Sequence, residues 1–172
     1  NVLNVALKMF ANTILQKINE VKMNYSKGRK IYIIISAVAL LAVLITIFVL
    51  SAQNGEESSS TSGFFTDLIE AIFGQPPNEA IIRTLAHFCE FAALGFLMCN
   101  FIFALKDKLK PLFSILFSFI YAVSDEIHQY FIPERACQLS DLAVDSCGVI
   151  FGIAVFCVLN IIIIRIKHKK TH

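Results

Sequence analysis

Ten residues of this 172-residue chain have the types and spacing to do chemistry. Arg83, His87 and Glu90 fall at i, i+4 and i+7, one stripe of a helix. Asp125, Glu126, His128 and Gln129 follow as a second group, and Arg135, Asp141 and Asp145 as a third. A carboxylate or imidazole can serve as general acid or base, so His87, Glu90, Asp125, Glu126 and His128 are the catalytic candidates. A guanidinium at Arg83 or Arg135 can grip a phosphate in bidentate fashion or stabilise a developing oxyanion. His87-x-x-Glu90 and Asp125-Glu126-x-His128 also have ligand types suited to a metal. Two histidines on separate segments are a thin ligand set, so neither a metal nor another cofactor is expected. No G-x-S-x-G, HExxH or Walker A sequence occurs. Ser124 and Ser140 each precede an aspartate, where serine is more often a helix cap than a nucleophile.

The elements that must position these residues are apolar. Hydrophobic residues make up 56% of the chain and charged residues 16%, against about 45–50% and about 25% in soluble domains. Ile31 to Leu50 contains no charge, and at about 1.5 Å per residue it crosses a hydrocarbon core of about 30 Å. A second span is expected from Thr84 to Leu105, a third from Pro111 and a fourth from Leu142 to Ile164. The purely apolar part of the third, Leu112 to Val123, reaches only about 18 Å at helical rise. That helix must therefore carry Asp125, Glu126 and His128 into the far side of the membrane or its interface. The fold class is all-α, an integral membrane bundle of four transmembrane helices.

Charge sets the orientation. Segments 1–30, 106–110 and 165–172 hold thirteen of the fifteen Lys and Arg and two of the thirteen acids. The positive-inside rule then puts both termini of this multi-pass membrane protein in the cytoplasm. Three parts follow: a cytoplasmic segment 1–30, a transmembrane domain 31–164 and a basic cytoplasmic tail 165–172. Residues 1–22, which precede Met23, read as an upstream extension with an amphipathic pattern. A cleaved signal peptide is not expected, because the run at 31–50 is too long for one. In the first outer loop, Phe64 to Phe73 has apolar and acidic sides that suit a short interfacial helix. The five cysteines show no ligand spacing, and Cys137 alone falls in a loop, so no disulfide framework is expected.

Ionisable residues within spans are costly and usually face the bundle interior or a cavity. Asp141 and Asp145 are four apart, and Gly148 and Gly152 continue their stripe, which allows another helix to approach closely. All these stripes lie near the outer ends of antiparallel helices. One polar pocket is expected there, formed by Arg83, His87, Glu90, Asp125, Glu126, His128, Gln129, Arg135, Asp141 and Asp145. The competing reading makes the same groups helix glue, orienting the bundle by ion pairs and hydrogen bonds.

Three blocks resemble the VanZ-like family of membrane proteins. They are Phe48-Val49-Leu50-Ser51-Ala52-Gln53 with Ser58 and Ser62; Ile82-Arg83-Thr84-Leu85-Ala86-His87-Phe88-Cys89-Glu90-Phe91 through Leu97; and Ser124-Asp125-Glu126-Ile127-His128-Gln129-Tyr130-Phe131-Ile132-Pro133-Glu134-Arg135 with Asp141, Asp145 and Gly148. Thr84 stands where the family usually has Lys, and Glu134 where it usually has Gly. The resemblance implies a cell-envelope membrane protein and a family-level link to glycopeptide (teicoplanin) resistance. It maps the family's motif residues onto the pocket set above.

Three kinds of function fit these residues. The pocket can bind an amphiphile, either a membrane lipid or a lipid-linked cell-wall headgroup. It can be the site of a membrane-embedded enzyme, with or without metal, acting on such a precursor. A small transporter is the third, and it would require dimerisation, since four spans are few and no Gly/Pro-broken helix pair is visible. A homodimer is compatible with the apolar helix faces. Nothing points to nucleic acid.

Overall fold

The computed structural model describes residues 27–54, 57, 58, 60, 63, 66, 67, 70, 71, 74, 75, 78–133, 135 and 138–169. Its main elements are four α-helices, with no strand among the described residues: α1 (Lys27–Ser51), α2 (Glu79–Lys106), α3 (Pro111–Tyr130) and α4 (Leu139–Lys169). The expected interfacial helix at 64–73 falls largely outside the described residues. So do residues 1–22, Glu134 and Cys137.

Helices α1, α2 and α4 are each long and apolar enough to cross a membrane. Helix α3, twenty residues long with Asp125, Glu126 and His128 near its C-terminal end, is not among them. Helix α4 continues to Lys169, past the expected end of its span. Its 31 residues extend about 46 Å at helical rise, more than a hydrocarbon core needs.

Local chemistry sets the ends. Asn78 caps α2, its side chain accepting from the Ala80 N–H at 2.9 Å. The helix stops at Asp107, which adopts a left-handed φ of 56° and donates its N–H to the Phe103 carbonyl at 2.8 Å. Pro111 then opens α3, where its missing N–H has no helical partner to lose.

The chain divides into two compact units, Asn1–Ile35 and Ser36–His172. The described part of the first is the opening of α1, with Ile31, Ile34 and Ile35 exposed. The second unit holds the bundle, and its residue distribution inverts that of a soluble protein. Leu41, Leu112, Phe117, Ile120, Phe151 and Ile163 are exposed, whereas Ser114, Ser118, Asp125, Glu126, Gln129 and Asp145 are buried. Such a surface suits hydrocarbon, and the polar groups gather inside the bundle, away from it.

Helices α2 and α4 meet backbone to backbone. A Cβ at Gly152 would collide with the Ala92 carbonyl, one at Gly148 with the Phe88 carbonyl, and one at Gly95 with Val149. The small-residue stripe read from the sequence is this seam. Phe91, Leu94, Val149, Ile153 and Phe156 form the core around it. From Ser36 onward, α1 is held by longer reaches. Tyr121 donates to the Leu44 carbonyl at 2.6 Å, Asn100 donates to Ser36 Oγ at 3.0 Å, and Phe48 stacks on His128 with ring centroids 4.8 Å apart.

Candidate functional site

At the end of the bundle where α1 and α3 finish and α2 and α4 begin lies a cavity of about 610 Å³. Its apolar wall is made by Leu50, Ile82, Leu85 and Ala86, and its polar part by Arg83, His87, Glu90, Asp125 and Arg135. On the other side, a cavity of about 210 Å³ shares Arg83 and His87 and adds Gln138 and Asp141. The helical stripe of Arg83, His87 and Glu90 thus lies along the larger cavity, and two of its members reach the smaller one.

A hydrogen-bonded chain links α3 to the first loop. Gln129, fully buried, donates through Nε2 to Asp125 Oδ2 at 3.0 Å. Arg135 Nη1 donates to Gln129 Oε1 at 3.5 Å, and Nη2 donates to Ser58 Oγ at 3.0 Å. Burial and the neighbouring Arg83 guanidinium push Arg135 below its ordinary pKa. It stays cationic, since a guanidinium keeps its charge in proteins. Two guanidiniums close enough to repel are poised to share an anion.

A second constellation draws one residue from each of α2, α3 and α4. His87 Nδ1 lies 3.4 Å from Asp145 Oδ1, and the Asp145 side chain is completely buried. Ligand-capable atoms of His87, Asp125 and Asp145 lie within 4.8 Å of one another. This trio differs from the local pairings His87/Glu90 and Asp125/His128 suggested by sequence spacing. It forms because Phe88, next to His87, faces Gly148, three residues beyond Asp145. The close seam therefore fixes the approach of imidazole and carboxylate.

Three more of the expected residues line the smaller cavity or make other contacts. Glu126 is buried but its Oε2 accepts the Gln138 N–H at 3.0 Å, which ties the end of α3 to the start of α4. His128 lies on Phe48 of α1 and lines neither cavity. Asp141, half-buried on the smaller cavity, accepts from Ser140 Oγ at 3.2 Å. Ser51, Gln53, Ser58 and Gln138 were not in the expected set, yet each lines a cavity. Ser51, Gln53 and Ser58 fall in the first family-like block, but by residue type alone these uncharged polar residues and Gln138 look like ordinary loop.

No curated protein and no solved structure matches this chain. The model of the VanZ/LLP1 family matches residues 36–161, which take in α1 from Ser36, all of α2 and α3, α4 as far as Ile161, and every residue of both constellations. The chain belongs to the VanZ/LLP1 family.

Proposed function

We propose that this protein spans a bacterial plasma membrane four times with both termini in the cytoplasm, and that its larger cavity binds the phosphate-bearing headgroup of an amphiphile near the outer face. One observation carries the reading: a cavity of about 610 Å³ with an apolar wall and, at its polar part, Arg83 and Arg135 together. An acyl or prenyl chain suits Leu50, Ile82 and Leu85, and a phosphate suits paired guanidiniums. Membrane phospholipid and a lipid-linked cell-wall precursor share this chemistry. The topology follows from the basic segments and from α3 crossing with its polar end outermost. A cysteine placed at Lys108 should resist an impermeant reagent applied from outside, whereas Cys137 should react.

The ligand test is mass spectrometry of protein purified in native lipid discs. Arg135→Gln should cut the co-purified phosphate-bearing amphiphile by about tenfold or more, since a charge-assisted hydrogen bond contributes about 1.5–3 kcal/mol. Equal lipid content in wild type, Arg83→Gln and Arg135→Gln would overturn the reading. The mass of the bound species separates phospholipid from a cell-wall precursor. The link to glycopeptide resistance is tested by teicoplanin susceptibility with and without the gene.

A second reading, a membrane-embedded hydrolase on the same headgroup, draws on the His87–Asp145 pair beside the cavity. A carboxylate behind an imidazole orients it as a general base. Turnover of the bound lipid that is lost in His87→Gln, with lipid still bound, would select it.

A further inference from the structure

We propose that His87, Asp125 and Asp145 form a binding site for a divalent transition-metal ion that ties α2, α3 and α4 together. Asp145 is the central observation. Its side chain is completely buried, and neither carboxylate oxygen has a hydrogen-bond partner. His87 Nδ1, also without one, faces it at 3.4 Å in a geometry that makes no hydrogen bond. A buried carboxylate in this state is expensive unless a cation meets it. Its oxygens point toward the place where Asp125 and His87 also present ligand atoms, all within 4.8 Å of one another.

The geometry and charge both fit an ion. Metal–ligand bonds of about 2.0–2.2 Å put neighbouring ligand atoms roughly 3.0–3.6 Å apart, so the widest separation in the trio needs to close by about 1–2 Å, within side-chain rotation. A neutral imidazole and two carboxylates carry the charge that one divalent ion cancels. One nitrogen and two oxygens favour zinc, manganese or ferrous iron over calcium or magnesium, which take oxygen alone. Outer support is in place: Gln129 holds Asp125 at 3.0 Å, and Arg135 in turn reaches Gln129. His87 and Asp125 also line the larger cavity, so a coordination position not taken by the three residues opens to water or to an oxygen of a bound molecule. The site stands without the headgroup reading, because its occupancy is read with no lipid assay.

The experiment uses the full chain, tag removed, purified in detergent. The protein is stripped with a chelator, dialysed separately against zinc, manganese and ferrous ion, and analysed by elemental mass spectrometry. Wild type should retain about one ion per chain and gain thermal stability with added metal, as binding to the folded state alone requires. Asp145→Asn and His87→Gln should each fall below about a tenth of an ion and lose the metal-dependent shift. Asp125→Asn serves if either variant fails to run as a single species in gel filtration. Wild type without bound metal and without a thermal shift overturns the site. Stoichiometric metal retained in the variants also overturns it, since the ion then lies elsewhere, as on the C-terminal histidines.

Discussion

The two flanks of α2 are built on different principles. Toward α4, glycines let backbone meet backbone, and a single added carbon at Gly152 has no room. Toward α1, α2 reaches with an asparagine amide, and α3 adds a tyrosine hydroxyl and a stacked histidine ring. The first flank leaves no space, and the second leaves about 610 Å³. The difference explains where chemistry can sit. The tight seam fixes His87 against Asp145, while the looser flank supplies access. A bundle packed closely on both sides would have the constellation without a cavity.

The hardest blow to this contrast is Gly152→Val. The branched side chain must push α2 and α4 apart along the seam, and overpacking of this kind is expected to cost about 3 kcal/mol or more. Loss of the monodisperse peak in fluorescence-detected gel filtration would report it. Gly63, where an added Cβ would meet nothing within 4 Å, is the control. Gly63→Ala should change stability by less than about 0.5 kcal/mol. Should both variants behave like wild type, the seam is not what holds the bundle.

Gln129→Leu probes the polar end with a smaller effect. The volume is nearly kept, but Asp125 loses the donor at 3.0 Å, and Arg135 loses an acceptor. Leaving a buried partner unsatisfied costs about 1–3 kcal/mol. The thermal midpoint in detergent should fall. A midpoint equal to wild type would mean that the polar chain bears no weight and that the end of α3 is held by other contacts, such as Glu126 on Gln138 and His128 on Phe48.

The sequence disclosed these flanks unequally. Gly148 and Gly152, about one and two turns beyond Asp145, marked the seam, because small residues at helical spacing have few other uses in an apolar helix. The start of α3 at Pro111 was legible for the same kind of reason. The partners across helices were not. Spacing paired His87 with Glu90 and Asp125 with His128 because it reports only neighbours on one helix. The approach of Asp145 to His87 depends on how far α4 slides along α2, and no local pattern encodes that. His128 shares a helical face with Asp125 on paper, yet a ring on α1, Phe48, claims it. Ser58 meets Arg135 across 77 residues of chain, and nothing in the run of serines it opens marks which of them has such a partner.

The gentlest test acts on α1. Tyr121→Phe removes only the hydroxyl that donates to the Leu44 carbonyl at 2.6 Å. That carbonyl lies mid-helix, where the intrahelical bond of α1 still satisfies it, so no orphaned acceptor is created. The expected loss is therefore that of an ordinary interhelical bond in a membrane bundle, about 0.6 kcal/mol and at most about 1.7 kcal/mol. The location of the effect matters more than its size. Amide exchange should quicken in α1 from Ser36 to Ser51 while Phe91 to Cys99 of α2 and Val149 to Phe156 of α4 keep their protection, because those segments rest on the seam. Faster exchange in all three helices together would show that the hydroxyl braces the whole bundle. The looser flank would then not be a separately held element, and access to the cavity would have to come from another side.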